Sequence, residues 1–249
     1  MRHATRIAMF ASALALFAGT HALSDAATQS GPTPYPTSND AWPGTGVIRT
    51  FGWMKDNRNF FWTERAKKQG AIVFAGDSLT ANWKSLGADF SGTLVANRGI
   101  GGDVSRGLLF RFQEDVLDLH PKAIVILIGI NDLTAKQPAS ATLTNIRSML
   151  SLKATQQPQV PVFLCTVPPS ANPKAPVDEQ QRRTLNQGLR QIAKDTKLVT
   201  LVDLYAATAT NAGTPELHYF TDDQLHLSAD GRARWKEILQ PAMQRAGVL

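Results

Sequence analysis

The sequence predicts an α/β protein in which helices cover both faces of a parallel β-sheet. From residue 70 onward, five short apolar runs alternate with longer segments of helical periodicity. Strands separated by helices are joined by right-handed crossovers, which make the strands parallel and place the helices on the two faces. The chain has 249 residues, of which 43% are hydrophobic, and this is enough for a substantial core.

The predicted strands are short, and three of them stop at a glycine or a proline. The run that ends at Gly129 is the clearest, and the run that ends at Ala96 is the weakest. Short apolar runs without alternation are typical of strands buried on both faces of a parallel sheet. The five segments are 71–75, 93–96, 123–128, 160–167 and 198–204.

Helical patterns lie between these strands and at the end of the chain. They cover about 105–118, 140–156, 178–196 and 229–246. Ser228 stands directly before the last pattern, where its side chain can act as an N-cap. In sheets of this kind the working loops lie beyond the carboxyl ends of the strands, so those loops are where we expect functional residues.

The N-terminus predicts a secretory signal peptide. Two arginines in the first six residues precede 12 apolar or small residues at 7–18, a run shorter than the roughly 20 residues of a membrane span. Small residues then offer cleavage after Ala22, or as late as Ala26. We therefore expect residues 1–22 to be removed and the protein to be periplasmic or secreted, without a stable membrane anchor. The alternative is a buried N-terminal helix.

Residues 27–45 predict a flexible linker or loosely attached arm, because they are rich in Thr, Pro, Ser and Gly and have no hydrophobic period. We expect a single domain over 46–249. The formal charge of +6 is scattered, which indicates solvated helix faces and no nucleic-acid partner. Cys165 is the single cysteine of the sequence. It excludes a disulfide scaffold and clustered-cysteine zinc sites, and its place in a strand predicts a buried thiol.

Four loops at the predicted carboxyl edge carry polar or glycine-rich sequences. Together they supply a hydroxyl, backbone donors, a carboxamide, a carboxylate and an imidazole, which are the groups needed for acyl transfer through a serine nucleophile. The loops are 76–80, 97–103, 129–132 and 222–228.

Ser78 is the candidate nucleophile, because it follows a tight strand-to-helix turn that Gly76 makes sterically easy. The alternative is a serine that only caps the next helix. The sequence around it is not the Gly-x-Ser-x-Gly elbow of the α/β-hydrolases, since Thr80 replaces the last glycine.

A serine hydroxyl needs a base, and His226 is the candidate. Asp223 precedes it by three residues, close enough for its carboxylate to reach the distal ring nitrogen and hold the tautomer. His218 has Glu216 nearby but no comparable spacing, so we interpret it as a loop residue. His120 precedes the third strand, which places it at the opposite end of the sheet.

Gly101, Gly102 and Asn131 are candidate donors for an oxyanion: the glycines through a backbone N–H and Asn131 through its amide. The alternatives are a tight turn for the glycines and a turn cap for Asn131. We assign Asp103 and Asp132 to structure and expect Asp103 or Ser105 to cap the following helix. The glycine spacing does not fit the dinucleotide-binding fingerprint.

Four sequence blocks resemble those of the SGNH/GDSL hydrolase superfamily. They occur in order as GDSL at 76–79, GIGGD at 99–103, GIND at 129–132 and DQLH at 223–226. Their wording is most similar to that of bacterial relatives of the platelet-activating-factor acetylhydrolase catalytic subunits. The resemblance implies a three-layer α/β/α sandwich, flavodoxin-like, with a five-stranded parallel sheet. It also implies that no metal or organic cofactor is used.

The resemblance further implies a role for each matching residue. Ser78 matches the nucleophile and an oxyanion donor through its own N–H, Gly102 and Asn131 match the other two donors, and Asp223 and His226 match the rest of the triad.

We therefore expect a secreted or periplasmic serine esterase. Its substrate would be a small-molecule or polysaccharide ester, with a short acyl group, acetyl above all, on a carbohydrate or lipid. The alternatives are an O-acetyltransferase acting on a cell-envelope polysaccharide, a lysophospholipase or lipase, and a carbohydrate-binding module that has lost catalysis.

Overall fold

Five parallel strands form the central sheet of the computed structural model, which describes residues 30–249. The strand order is β2-β1-β3-β4-β5, and helices flank the sheet in a three-layer α/β/α arrangement, so the predicted fold class is confirmed. Every residue of β1 and β3 is buried, as expected for central strands covered on both faces. The strands are β1 Ile72–Gly76, β2 Val95–Gly99, β3 Ala123–Leu127, β4 Val162–Cys165 and β5 Val199–Val202.

The helices follow the predicted pattern and add several short ones. The four long predicted helices are present as α4, α6, α7 and α9, and Ser228 caps α9 by accepting a hydrogen bond from the Gly231 N–H. The α-helices are α1 Gly52–Glu64, α2 Ser78–Ala81, α3 Leu86–Asp89, α4 Ser105–Asp115, α5 Ile130–Thr134, α6 Ala139–Gln156, α7 Glu179–Asp195, α8 Leu204–Thr208 and α9 Ala229–Arg245. Short 3₁₀ helices cover Asn39–Ala41, Arg65–Lys68, Leu117–Leu119 and Leu217–Tyr219.

Strand β2 differs most from its prediction, since it lies at 95–99 and not at 93–96. Its polar second half pairs with β1, with Asn97 opposite Phe74 and Gly99 opposite Gly76. The Asn97 amide donates to the Thr80 carbonyl oxygen and its oxygen accepts from the Gly99 N–H. These bonds satisfy a polar side chain inside an edge strand, a situation that hydrophobic patterning does not detect.

Helix α1 was not predicted from the sequence. It buries only one narrow stripe, consisting of Met54, Arg58 and Phe61. Met54 and Phe61 pack with Ile100 in a small apolar cluster separate from the main core. A helix with so little buried apolar surface has a weak periodic signal, because most of its residues face water.

The prediction of a loosely attached arm is wrong for residues 32–45, which belong to the same compact unit as the rest of the domain. Trp42 is buried, stacks on Tyr35 and contacts Phe110 of α4. The buried Arg106 guanidinium of α4 donates to the carbonyl oxygens of Pro43 and Gly46. Aromatic burial and these charge-assisted bonds hold a segment that has no hydrophobic period.

The predicted signal peptide, with both of its cleavage sites, lies outside the described residues, as do residues 27–29 of the predicted linker. Among residues 30–249, no helix combines the length and the apolar character required to cross a membrane. Cys165 is a free thiol in β4 and is 1% exposed. Its predicted burial is therefore confirmed.

Candidate active site

Ser78 lies at the first position of α2, and Asp77 alone separates it from the end of β1. A Cβ atom at Gly76 would lie 2.2 Å from the Leu127 carbonyl oxygen, so only glycine allows the chain to turn this close to β3. The cap of α2 is Asp77, whose Oδ1 accepts from the Leu79 N–H at 2.9 Å. The Ser78 side chain is therefore not needed as a cap. It is half-buried at the end of a buried strand, where its hydroxyl can meet a ligand.

Asp77 is fully buried beside Ser78, and burial raises its pKa to about 8. The nearby Asp103 and Asp132 carboxyls raise the pKa further, whereas the Leu79 N–H lowers it. A carboxyl group with this pKa is mostly protonated at neutral pH. The turn that carries Ser78 is therefore held by a largely uncharged side chain.

A hydrogen-bonded chain of three side chains begins at Ser78. The Ser78 Oγ lies 2.9 Å from Nε2 of His226, and Nδ1 of the same ring lies 2.5 Å from Oδ2 of Asp223. Ser78 and His226 are 148 positions apart in sequence. The sheet topology brings them together because the loops that carry them lie at the same carboxyl edge.

The second oxygen of Asp223 is bound by its own loop. Its Oδ1 accepts from the backbone N–H groups of Leu225 and His226, at 2.9 Å each, and from the Thr221 hydroxyl at 2.8 Å. Burial alone would raise the pKa of Asp223, but these bonds and the one from the His226 ring outweigh it and lower the pKa below the ordinary range. Asp223 therefore stays ionised in acidic solution and can stabilise a protonated imidazole.

The other two described histidines lie away from this chain of side chains, in agreement with the sequence analysis. The His218 side chain is 55% exposed, and its Nδ1 lies 3.7 Å from Glu216. His120 precedes β3 and contacts the Gln157 side chain.

Two backbone N–H groups near Ser78 are free to bind an anion. In the described part of the chain, the N–H groups of Ser78 and Gly102 have no hydrogen-bond acceptor. Gly102 has a φ of +82°, a conformation that a residue with a side chain adopts only with strain. A Cβ atom placed on Gly101 would lie 4.0 Å from the Ser78 Cβ. The glycine loop and the nucleophile turn are therefore neighbours.

Hydrogen bonds at both the nitrogen and the oxygen fix the orientation of the Asn131 amide. Its Nδ2 donates to the Asp103 carbonyl oxygen at 2.9 Å, and its Oδ1 accepts from Nη1 of Arg49 at 3.3 Å. Each amide NH₂ carries two hydrogens, so one N–H of Asn131 remains for a ligand. The cap of α5 is Gly129, so Asn131 does not serve as the turn cap that was its alternative role.

Arg111 joins the strands that carry the nucleophile turn and the glycine loop. It is fully buried and donates to the carbonyl oxygens of Gly76 in β1 and Arg98 in β2, at 3.0 and 2.9 Å. It also donates to Oδ2 of Asp103 at 2.8 Å and to Asp115 at 3.2 Å. Burial raises the pKa of Asp103 to about 6, and the Arg111 charge opposes this rise.

Two positioning residues, Arg49 and Arg111, were not predicted from the sequence. A signal existed for Arg111, because it stands within the apolar part of helix α4, eight residues after Asp103. Nothing in the sequence around Arg49 indicated its contact with Asn131.

The predicted capping of α4 by Asp103 or Ser105 is wrong. The N-cap is Val104, which makes no side-chain cap bond. The Ser105 N–H and hydroxyl instead donate to the buried Asp132 carboxylate, which lies 27 residues away in sequence. A remote carboxylate replaces the local cap because it satisfies the same unpaired N–H at the helix start.

Among residues 30–249, no group of three or more His, Cys, Asp or Glu side chains is placed to hold a metal ion. Chemically, the site combines a hydroxyl, an imidazole bound to a carboxylate, and three N–H donors. These are the groups of a serine acyl-transfer site.

Comparisons with known proteins agree with this geometry. The model of the GDSL-like lipase/acylhydrolase family matches residues 74–234, more than half of the chain. Platelet-activating factor acetylhydrolase IB subunit alpha2 of Rattus norvegicus is 28% identical over an alignment of 189 residues, which covers 73% of this chain and 79% of the relative. Subunit alpha1 of Bos taurus is 29% identical and covers 72% of this chain and 77% of its own length.

Two solved structures extend the comparison. A GDSL-like lipase from Bacteroides thetaiotaomicron superposes with a TM-score of 0.67 at 28% identity, covering 75% of this chain and 97% of its own. A lipase/acylhydrolase from Enterococcus faecalis, 21% identical, shares the fold with a TM-score of 0.57 over 71% of this chain and 96% of its own. The chain belongs to the GDSL-like lipase/acylhydrolase family, within the SGNH/GDSL hydrolase superfamily, and is an ester hydrolase.

Proposed function

We propose that this protein is a serine esterase that uses Ser78, His226 and Asp223 as a catalytic triad and removes short acyl groups from oxygen esters. The observation that carries the proposal is the continuous chain from the Ser78 hydroxyl through the His226 ring to Asp223, with distances of 2.9 and 2.5 Å. A base within hydrogen-bond reach of the hydroxyl, itself oriented by a carboxylate, is the arrangement that activates a serine.

In the first half of the reaction, Ser78 Oγ attacks the ester carbonyl carbon and its proton passes to Nε2 of His226. The negative carbonyl oxygen of the tetrahedral intermediate binds the N–H groups of Ser78 and Gly102 and the amide of Asn131. Donors of this kind contribute about 2.7–4 kcal/mol each where one has been removed from an enzyme. The His226 imidazolium, stabilised by Asp223, then protonates the departing alcohol, which leaves an acyl group on Ser78.

In the second half, a water molecule gives a proton to His226 and its oxygen attacks the acyl carbon. The same N–H donors bind the second tetrahedral intermediate. Collapse of that intermediate returns the proton from His226 to Ser78 Oγ and releases the carboxylic acid. The cycle leaves the enzyme unchanged and consumes one water for each ester bond.

We infer that the acyl group is short, with acetyl as the preferred case. Relatives whose names include "acetylhydrolase" support acetyl. A cavity of about 400 Å³ lies between α1 and the edge strand β2, and neither Ser78 nor His226 lines it. Each methylene of an acyl chain adds about 0.8 kcal/mol only when it is removed from water. We therefore expect nitrophenyl acetate and butyrate to be hydrolysed with higher kcat/KM than octanoate or palmitate.

The signal-peptide pattern at 1–22, with cleavage as late as residue 26, supports export of the enzyme to the periplasm or the medium. We propose this location for the mature enzyme. N-terminal sequencing of the protein recovered from periplasmic and culture fractions tests it. Recovery of the uncleaved chain from the cytoplasm alone would contradict it.

The triad is tested with Ser78→Ala, Asp223→Asn and, as a matched control, Ser91→Ala at an exposed loop position. Ser78→Ala should abolish hydrolysis of nitrophenyl acetate, Asp223→Asn should retain a small fraction, and Ser91→Ala should match the wild type. A fluorophosphonate should add its mass to the Ser78 peptide alone. Wild-type turnover by folded Ser78→Ala protein would refute the assignment.

A further inference from the structure

Two aromatic side chains lie exposed beside the glycine loop. Phe51 is 40% exposed and Trp53 is 51% exposed. Their ring centroids are 4.4 Å apart, and the ring planes are inclined by 16°. The rings therefore stack face to face and form an exposed apolar pair, here called the Phe51–Trp53 platform. Exposed apolar surface of this kind is unfavourable in water, and it is typical of a binding site.

The platform is fixed in position relative to the nucleophile. The Trp53 indole N–H donates to the Gly101 carbonyl oxygen at 2.9 Å. A Cβ atom on Gly102 would lie 3.5 Å from the Phe51 ring, and one on Gly101 would lie 4.0 Å from the Ser78 Cβ. The two rings therefore contact the glycine loop, and that loop lies between them and the Ser78 side chain.

The platform lies outside the part of the chain matched by the family model, which begins at residue 74. Phe51 directly precedes α1, and Trp53 is in its first turn. Arg49, two residues earlier, donates to the Asn131 side chain. This N-terminal segment thus adds an apolar surface and a cation to the rim of a site built by the other loops.

The chemistry of the platform favours a sugar ring. A pyranose has an apolar C–H face, which packs against the outer face of a single aromatic ring. It also has hydroxyl groups at its edge, which can bind a guanidinium such as that of Arg49. An acyl chain gains most from an enclosed apolar channel, whereas these rings are open to water. A quaternary ammonium also binds aromatic faces, but the positive charge of Arg49 on the same segment opposes it.

We propose that the Phe51–Trp53 platform is a subsite for the sugar on the alcohol side of the ester, so that the substrate is an O-acetylated saccharide. This inference rests on the proposed function, since the sugar must stand next to the Ser78 nucleophile. The acetyl group then occupies the space between Ser78 and the oxyanion donors, and the saccharide packs against an exposed ring of the stacked pair.

The test compares esters that share the acetyl group and differ in the alcohol. The substrates are nitrophenyl acetate, acetylated xylan, acetylated glucomannan, O-acetylated peptidoglycan and a glycerophosphocholine acetyl ester. The variants are Phe51→Ala and Trp53→Ala, with Phe60→Ala as the matched control, because Phe60 is a 61% exposed aromatic residue of the same helix. Circular dichroism and thermal unfolding establish that each variant is folded.

We expect the wild type to hydrolyse at least one acetylated saccharide. For that substrate, Trp53→Ala and Phe51→Ala should lose at least tenfold more kcat/KM than they lose for nitrophenyl acetate, mainly through KM. Phe60→Ala should match the wild type on both. In the Ser78→Ala background, calorimetric binding of the deacetylated oligosaccharide should be lost on adding Trp53→Ala.

Three results would overturn the proposal. The first is hydrolysis of nitrophenyl acetate without hydrolysis of any of the three saccharides. The second is an equal loss on saccharide and nitrophenyl ester in the platform variants. The third is a selective loss on the glycerophosphocholine ester, which would identify a lipid headgroup subsite. None of them affects the triad, because the triad fails only if Ser78→Ala retains turnover of nitrophenyl acetate.

Discussion

Replacing Arg111 with methionine should destabilise the domain and lower the turnover number together. The guanidinium makes four hydrogen bonds inside the protein, to the Gly76 and Arg98 carbonyl oxygens and to the carboxylates of Asp103 and Asp115. Methionine fills similar volume but supplies no donor. The substitution therefore leaves two buried carboxylates without their main cation.

The size of the effect follows from that burial. Arg111, Asp103 and Asp115 are each at most 4% exposed, and removing one partner of a buried ion pair costs about 3–5 kcal/mol. For a domain of this size each kcal/mol lowers Tm by about 2–4 °C, so Arg111→Met should lower Tm by about 6–20 °C. Protonation of Asp103, whose pKa is already about 6, limits the loss.

The assay is urea unfolding followed by tryptophan fluorescence, with kcat measured on nitrophenyl acetate well below Tm. Arg190→Met is the matched control, because Arg190 and Asp203 form an ion pair with side chains 40% and 32% exposed, worth about 0–1 kcal/mol. Adding Asp103→Asn to Arg111→Met should recover part of the stability, since it removes an unpaired carboxylate. A loss no larger than that of Arg190→Met would refute the reasoning.

Three further predictions concern the Asn131 donor, the buried Asp77 carboxyl and the Cys165 thiol. Asn131→Ala should lower kcat for nitrophenyl acetate by about 10²–10³. Arg49→Met should lower it less, because the substitution removes a bond to the Asn131 amide but leaves the amide in place. Equal losses in the two variants would contradict this order. Between about pH 4 and 8, Asp77 binds more protons in the folded than in the unfolded state, so its contribution to stability is lost as pH rises. The free energy of unfolding of Asp77→Asn should therefore increase relative to that of the wild type from pH 5 to pH 8. A constant difference would show that the buried carboxyl does not titrate in this range. Burial raises the pKa of the Cys165 thiol, so the native protein should react slowly with a thiol reagent and remain active. Rapid labelling accompanied by inactivation would contradict this prediction.

Much of the site was predictable because its chemistry is carried by contiguous blocks. Ser78, Asn131 and the Asp223–His226 pair each follow a strand or precede a helix, and parallel topology brings the carboxyl ends of strands to one edge. The contact expected from the three-residue spacing of Asp223 and His226 is present, since Oδ2 of Asp223 lies 2.5 Å from Nδ1 of His226. Contacts between distant blocks could be inferred from topology even across 148 residues.

The elements that escaped prediction depend on polar contacts that leave no periodic signal. Residues 32–45 have no hydrophobic pattern, yet they dock through Trp42 and through carbonyl oxygens that bind Arg106. Likewise, the Ser105 N–H at the start of α4 is satisfied by Asp132 of helix α5, although Asp103 and Ser105 stand closer in sequence. Local preference yields to tertiary partners when those partners satisfy the same N–H groups.

The α/β class, the five strands, the long helices and the candidate site residues could be predicted from the sequence, because they depend on hydrophobic periodicity and on short motifs. The contacts that hold and border the site could not be predicted in this way. Arg111 meets Gly76 across 35 residues, Arg49 meets Asn131 across 82, and Trp53 meets Gly101 across 48. Each of these contacts satisfies a donor or an acceptor where two distant chain segments meet, and packing in three dimensions determines which segments meet.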